Sequence, residues 1–304
     1  MKHSRKIIDI IGVPSDFGAN VAGALMGPAA LRTAGLHEKL QSIGRETHES
    51  GDIVVPNRYN LAAEKTNNKY LPVVHAMCQE LKTASMAALA SHHIPLVLGG
   101  DHSIAIGSLA ATCTFYKKQR IGLLWVDTHA DINTPQSSHT GNIHGMPISV
   151  LLGKGYAELT QLFDKQTTIQ PENIVLLGLR DIDPEEKGIL KKSGITYYTM
   201  RDIDEKGIRK IVKEICKHQF KDIDGLHLSF DLDVMNPTQM PGVSTPVPGG
   251  LTLREAHLLL EMLYETQHII AADFVELNPF KDNQGQSAAM ATDLICSLFG
   301  ERII

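Results

Sequence analysis

Cysteines and long apolar runs are both scarce in this chain. Only four cysteines occur among 304 residues, and none has the short Cys-x-x-Cys spacing of a zinc knuckle or a redox centre. We therefore expect reduced, mostly buried thiols, as in a reducing compartment. No run of about 18 apolar residues is present, which is the least that a membrane-spanning helix needs. These absences predict a cytoplasmic protein with no membrane partner.

Positive charge is also in short supply. The formal net charge is -5, whereas binding to nucleic acid requires a basic face. We therefore expect no nucleic-acid partner. The first six residues are basic in character, but the apolar stretch that follows is short, contains Asp9 and lacks a small-residue cleavage site, so we expect no signal peptide.

What the chain has is the composition of a globular protein, with 43% hydrophobic and 21% charged residues. We expect residues 1–304 to form a single domain, because α/β domains of this length are common. Short apolar segments alternate with helical patterns, which predicts a three-layer α/β/α architecture with a mostly parallel central sheet. We expect the polar segment 46–68 to be an exposed connection. The predicted strands are 6–13, 95–99, 121–126, 174–177, 225–230 and 269–275, and the predicted helices include 70–90, 208–218 and 254–265.

Three polar blocks each follow a predicted strand: Gly-Gly-Asp-His-Ser at 99–103, Asp-Thr-His-Ala-Asp at 127–131 and Asp-Leu-Asp at 231–233. Residues two apart in a strand point to the same face, so each block aims its polar groups at one place. Ligands of parallel sheets bind at the carboxyl ends of the strands. The blocks therefore predict a metal site whose ligands are His102, Asp127, His129, Asp131, Asp231 and Asp233.

The donor set also indicates which metal binds. Carboxylates and imidazoles without a thiolate suit manganese better than a structural zinc site, although cobalt, nickel or zinc could enter the same ligands. Four carboxylates exceed the needs of one divalent ion, so we predict two Mn²⁺ or Co²⁺ ions that share a nucleophilic hydroxide. An isolated Asp-x-Asp is more often a solvated loop cap. Three such blocks together favour the metal site, because buried carboxylates need neutralising cations.

The same blocks, with Trp125-Val126 and Ser229-Phe230 before two of them, resemble the three signature motifs of the ureohydrolases. This family comprises arginases, agmatinases and formiminoglutamases. The resemblance extends from Gly-Val-Pro at 12–14 to Glu-Leu-Asn-Pro at 276–279. It implies the ureohydrolase fold and a hydrolase with two metal ions.

The segment 133–145 resembles the arginase loop rather than the agmatinase loop, and its neutral polar groups suit the α-carboxylate of L-arginine. The resemblance thus implies hydrolysis of L-arginine to L-ornithine and urea, with a metal-bridging hydroxide attacking the guanidinium carbon. Within the family the alternative is an agmatinase, and a formiminoglutamase is less favoured. A non-catalytic metal-binding scaffold is the alternative from another class, but the complete ligand set argues against it.

Individual roles are likewise implied by the resemblance. Asp131 would protonate the leaving nitrogen, His144 would exchange protons with bulk water, and Glu276 would contact the guanidinium group; these three are the predicted catalytic residues. Asn133, Ser138 and Thr140 would bind the substrate carboxylate, and Asp183 and Glu186 its α-amino group. The predicted substrate-binding residues are Asn133, Ser138, Thr140, Asn142, Asp183, Glu186 and Thr245.

The chain departs from the family pattern at three places, none of which is a metal ligand. Thr140 stands where serine is usual, Val-Met-Asn at 234–236 replaces a commoner Gly-Leu-Asp, and Ser244 occupies a frequent glycine position. We expect these departures to affect kinetics more than the type of reaction. The family usually forms homotrimers or homohexamers, and Arg254 with Glu255 resembles a pair that some arginases use between subunits.

Overall fold

A single eight-stranded sheet forms the centre of the computed structural model, which describes residues 6–57, 70–163 and 169–302. The strand order is β2-β1-β3-β8-β7-β4-β5-β6, and every pair of neighbouring strands is parallel. The predicted α/β class with a parallel sheet is confirmed. The strands are β1 (Ile8–Gly12), β2 (Thr47–Asp52), β3 (Ile94–Leu98), β4 (Ile121–Val126), β5 (Ile174–Leu179), β6 (Thr196–Thr199), β7 (Gly225–Asp231) and β8 (Ile269–Val275).

Helices cover both faces of the sheet, and the core lies in two apolar layers. Ile10 and Leu98 belong to one layer and their neighbours Ile11 and Val97 to the other, as the two-residue period of a strand requires. None of the described helices combines the length and apolar character needed to cross a membrane. The helices are α1 (Gly27–Thr33), α2 (Leu36–Ser42), α3 (Leu71–Ala90), α4 (Ala105–Phe115), α5 (Pro147–Leu151), α6 (Ala157–Thr160), α7 (Pro184–Ser193), α8 (Met200–Lys206), α9 (Ile208–His218), α10 (Leu253–Thr266) and α11 (Gln286–Leu298).

All six predicted strands are present, but two edge strands were missed. Strand β2 lies in the segment 46–68 that was expected to be a connection, so the prediction is wrong for Thr47–Asp52. The side chains of β2 are mostly exposed, and only its backbone bonds to β1 mark it as a strand. Residues 58–68 of that segment lie outside the described residues. Strand β6 was missed because it has only four residues, of which one is buried.

A buried polar network joins α4 to the middle of the sheet. His227 Nε2 lies 3.0 Å from Asp273 Oδ2, and the Ser108 hydroxyl donates to the same oxygen at 2.8 Å. On the other side of the ring, Thr112 Oγ1 lies 2.9 Å from His227 Nδ1. Because buried polar groups are costly without partners, this network fixes how α4 sits on β7 and β8.

Replacing Asp273 with alanine should lower the free energy of unfolding by about 3 kcal/mol, because His227 and Ser108 would both lose a buried acceptor. The matched control Ser108→Ala removes one hydrogen bond and should cost about 1 kcal/mol. Denaturant titration of the three proteins measures both values. Equal losses in the two variants would show that Asp273 does not anchor the network.

Candidate metal centre and catalytic site

The candidate site lies at the carboxyl ends of four adjacent strands. His102 follows β3, Asp127 follows β4, Asp231 ends β7 and Glu276 follows β8. In the sheet these strands lie in the order β3-β8-β7-β4. Side chains that are far apart in the sequence therefore converge at one edge, as expected for the ligands of a parallel sheet.

The local backbone holds these side chains in fixed directions. Asp127 Oδ1 accepts from the backbone N–H of His129 at 2.6 Å, and Asp231 Oδ1 accepts from that of Asp233 at 2.7 Å. Asp131 and Glu276 have φ values of +49° and +65°, a left-handed conformation that is costly for residues other than glycine. Such backbone strain is concentrated at functional sites, where the surrounding structure enforces it.

Two histidine–carboxylate groups share one aspartate. His102 Nδ1 lies 3.0 Å from Asp127 Oδ2, 3.1 Å from Asp231 Oδ2 and 3.3 Å from Asp131 Oδ2. His129 Nδ1 lies 3.4 Å from Asp127 Oδ1 and 3.1 Å from Asp233 Oδ2. The two oxygens of Asp127 therefore face different groups. The structure brings together all six predicted metal ligands: the ligand atoms of His102, Asp127 and Asp231, and those of Asp127, His129 and Asp233, lie within 4.8 Å of one another, and Asp131 faces His102.

The surroundings of His102 fit a bound cation. Its Nδ1 is fully buried and makes no hydrogen bond within the part of the chain that the structure describes, although three carboxylate oxygens face it. Its other nitrogen lies 2.9 Å from Ser229 Oγ, and its ring stacks on Trp125 with the centroids 3.9 Å apart. Metal-binding histidines typically have one ring nitrogen fixed by a hydrogen bond while the other nitrogen faces the metal position, and His102 has this arrangement.

The pKa values of the carboxylates point the same way. Burial and repulsion by Asp233 and Asp127 raise the pKa of Asp231 well above its usual range. Burial and the charge of Asp127 raise the pKa of Asp131 to about 6. Burial also opposes ionisation of Asp127, but the adjacent His102 and His129 imidazoles lower the pKa of that carboxyl. Crowded carboxylates of this kind are stabilised in their charged form by divalent cations.

Glu276 and His144 form a pair beside the metal ligands. Glu276 Oε1 lies 3.0 Å from His144 Nδ1 and accepts from the backbone N–H of His102, also at 3.0 Å. Glu276 Oε2 is buried and has no hydrogen-bond partner among the described residues. Burial would lower the pKa of His144, but Glu276 raises it to about 9. The site thus contains one free carboxylate oxygen and one partly exposed imidazole.

Three of the predicted substrate-binding residues meet at the start of α7. Asn133 Nδ2 donates to Asp183 Oδ2 at 3.2 Å. Glu186 accepts from the backbone N–H of Ile132 and of Asp183, each at 3.2 Å. Burial and the charge of Asp131 raise the pKa of Glu186 to about 7. Asp183 is exposed while Glu186 is buried, so only Asp183 presents its carboxylate to the surface.

The remaining predicted substrate-binding residues lie in two loops. Ser138 Oγ accepts from Gly141 N at 3.0 Å, and Thr140 Oγ1 accepts from Asn142 N at 3.2 Å. The hydroxyl oxygens of Ser138 and Thr140 are 3.5 Å apart. Thr245 instead donates to Asp233 Oδ2 at 2.8 Å, which places it against a predicted metal ligand.

Arg180 is a residue of the site that sequence reasoning missed. Its Nη2 donates to the backbone oxygens of Asp233 at 2.9 Å and Val247 at 2.7 Å, and its Nη1 to that of Val234 at 3.2 Å. Arg180 belongs to no motif, so the sequence carries no signal for this role. Ser229 was also missed, although its position two residues before Asp231 puts it on the same face of β7.

We expect Arg180→Met to weaken metal binding by about 10- to 100-fold, as loss of an outer-shell partner typically does. The physical reason is that the backbone bearing Asp233 would lose its clamp. Arg201→Met is the matched control, because Arg201 is exposed and pairs with Glu205. Competition with a chelator measures the affinity, and unchanged retention of metal in Arg180→Met would contradict the assignment.

Comparisons with known proteins agree with this geometry. The family model described as the Arginase family matches residues 6–300. An arginase from Bacillus caldovelox is 42% identical, and the match covers 98% of this chain and 100% of the relative. Its native crystal structure superposes with a TM-score of 0.94 over 98% of this chain and 100% of that chain. An Entamoeba histolytica arginase solved in complex with L-ornithine is 30% identical, with a TM-score of 0.90 over 97% of this chain and 99% of that one. This chain belongs to the arginase family.

Proposed function

We propose that this protein is an arginase, a hydrolase that converts L-arginine to L-ornithine and urea. The observation that carries the proposal is the pair of histidine–carboxylate groups joined through Asp127, next to the free oxygen of Glu276. Arginase relatives matched over almost their whole length support it. The L-ornithine held by the Entamoeba histolytica relative is the product of this reaction.

Six residues would hold the metal ions. His102, Asp127, Asp131 and Asp231 face one position, and Asp127, His129 and Asp233 face the other. The oxygen-rich donors favour Mn²⁺, with Co²⁺ as the alternative. Divalent ions bound there would polarise the substrate and make water nucleophilic at neutral pH.

Glu276 binds the guanidinium group of the substrate. Its Oε2 is buried without a partner, whereas its Oε1 is held by His144 and by the backbone N–H of His102. A guanidinium N–H donating to this oxygen would form a charge-assisted hydrogen bond, which is stronger than a neutral one. The fixed carboxylate thereby orients the reacting carbon.

Asp131 and His144 move the protons. Asp131 faces His102 inside the cluster, and we assign to it the proton that reaches the departing nitrogen of ornithine. His144 is anchored on Glu276, and 20% of its side chain is exposed. A histidine between a buried carboxylate and solvent can pass protons between the site and bulk water.

The amino-acid end of the substrate is bound at the rim. The exposed carboxylate of Asp183 attracts the α-ammonium group. Glu186 holds Asp183 in place by accepting a hydrogen bond from the backbone N–H of Asp183. Asn133, Ser138, Thr140 and Asn142 offer amide and hydroxyl groups to the α-carboxylate. We propose that Thr245 acts indirectly, because its hydroxyl orients Asp233.

The assembly and the location of the protein stay predictions. We propose a homotrimer or homohexamer, a cytoplasmic location, and a single domain formed by the whole chain. Arg254 pairs with Glu261 of its own helix at 3.5 Å, and Glu255 caps α10 by accepting from Thr252 N. Both side chains thus have partners within the chain. In the predicted contact between subunits, each would have to bind its partner in the chain and the other subunit at once.

Urea release from L-arginine and from agmatine tests the reaction directly. We expect protein that is stripped of metal and then reloaded with Mn²⁺ to release urea from L-arginine only, since agmatine lacks the α-carboxylate. The stripped protein serves as the control and should be inactive. Urea from agmatine would identify an agmatinase instead, and urea from neither compound would favour a non-catalytic scaffold.

Two variants should separate chemistry from substrate binding. Asp131→Asn should lower kcat at least about 100-fold because proton transfer is lost. Asp183→Ala should mainly raise KM, by about tenfold, through loss of one charged hydrogen bond. Glu185→Ala is the control for Asp183, because Glu185 is an exposed neighbour paired with His139. Near-normal kcat in Asp131→Asn with a full metal content would refute the role of that residue.

A further inference from the structure

A second kind of histidine–carboxylate group lies at the amino ends of the strands. Asp9 is in β1, His48 is its register partner in β2 and His93 immediately precedes β3. Because the strands are parallel, this group lies at one end of the strands and the arginase site at the other. The three residues take no part in the proposed reaction, so whatever they bind is independent of arginine hydrolysis.

The three side chains converge on the Asp9 carboxylate from two sides. His48 Nδ1 lies 3.0 Å from Asp9 Oδ1, and His93 Nδ1 lies 3.1 Å from Asp9 Oδ2. One ligand atom from each residue lies within 4.8 Å of the others. The Ser50 hydroxyl donates to Asp9 Oδ1 at 2.6 Å and fixes the orientation of the carboxylate. Two imidazole nitrogens and an oriented carboxylate form a three-ligand set.

The Asp9 carboxylate is paired with no lysine or arginine among the described residues. Only 5% of its side chain is exposed, and within the described part of the chain its ion pairs are with His48 and His93 alone. A buried carboxylate oriented beside two imidazole nitrogens supplies the donor atoms that a divalent cation binds.

The group is accessible to an ion from solvent. His48 is 57% exposed and His93 is 19% exposed at the side chain. Both residues line a surface cavity of about 530 Å³ that also includes Ile7, Arg45 and Glu46. The cavity leaves room for a water molecule to complete the coordination of a metal ion.

We propose that Asp9, His48 and His93 form a separate divalent-metal site that prefers Zn²⁺ and joins strands β1, β2 and β3. Two imidazoles with one carboxylate are richer in nitrogen than the arginase site and match the ligands of zinc. The bound ion cross-links β2, an edge strand with mostly exposed side chains that its backbone pairing with β1 holds in the sheet.

The test counts zinc in protein that already holds Mn²⁺. After incubation with ZnCl₂ and gel filtration, metal analysis should find one Zn²⁺ per chain in addition to an unchanged manganese content. The variants His48→Gln and His93→Gln should each lose this one equivalent. The matched control is His92→Asn, an exposed histidine next to the group whose positive φ asparagine tolerates. Because the readout is a difference between variants, it does not depend on the proposed function.

Hydrogen exchange gives a second readout at β2. Zinc should slow the exchange of the amides in Thr47–Asp52 by about tenfold in the wild type and in His92→Asn, but not in the other two variants. All variants should release urea at the wild-type rate when loaded with Mn²⁺, which verifies that they are folded. Zinc that only displaces manganese, or a zinc equivalent that persists in both His48→Gln and His93→Gln, would overturn the proposal.

Discussion

Negative charge concentrated at the carboxyl ends of neighbouring strands is the constraint on which the rest of the structure depends. Asp127 is central to it, because its two oxygens face two different histidine groups. In a dry interior such carboxylates repel one another strongly. Oriented N–H groups oppose this repulsion, and divalent cations bound between the carboxylates would oppose it further. The sheet and the helices that pack on it hold these groups in their relative positions.

Support for the cluster comes from residues that do not belong to it. Trp125 stacks on His102 and also donates its indole N–H to Asp127 Oδ2 at 3.0 Å. Ser229 faces the distal nitrogen of the same histidine. Both residues belong to strands β4 and β7, so the rigidity of the sheet passes directly to the ligands. Such a preorganised arrangement requires little movement when charge develops during a reaction.

Sequence patterns predicted the strands with apolar side chains and the motifs that follow them. They missed the features that are held by hydrogen bonds to the backbone. The three polar blocks were placed correctly at the carboxyl ends of β3, β4 and β7, but only Asp231 lies within a strand, so turns after the strands and not the strand period aim the other ligands. Strand β2 escaped notice because hydrogen bonding to β1, not apolar character, makes it a strand. The role of Arg180 was not predicted because its partners are main-chain oxygens, which every residue type has. The occupation of both Glu186 oxygens by backbone donors was equally invisible.

The contacts of Arg180 have a consequence for how this site can diverge. The guanidinium group reads only carbonyl oxygens on the loop, including those of Asp233, Val234 and Met235. Every amino acid supplies the same carbonyl, so these contacts hold the path of the loop whichever residues stand at 234 and 235, while the side chains there are selected by burial in the core. The unusual Val-Met-Asn at 234–236 thus keeps the Arg180 contacts, while Val234 and Met235 pack in the core. Beside the metal cluster, Arg180 therefore fixes the backbone, and packing fixes the side chains.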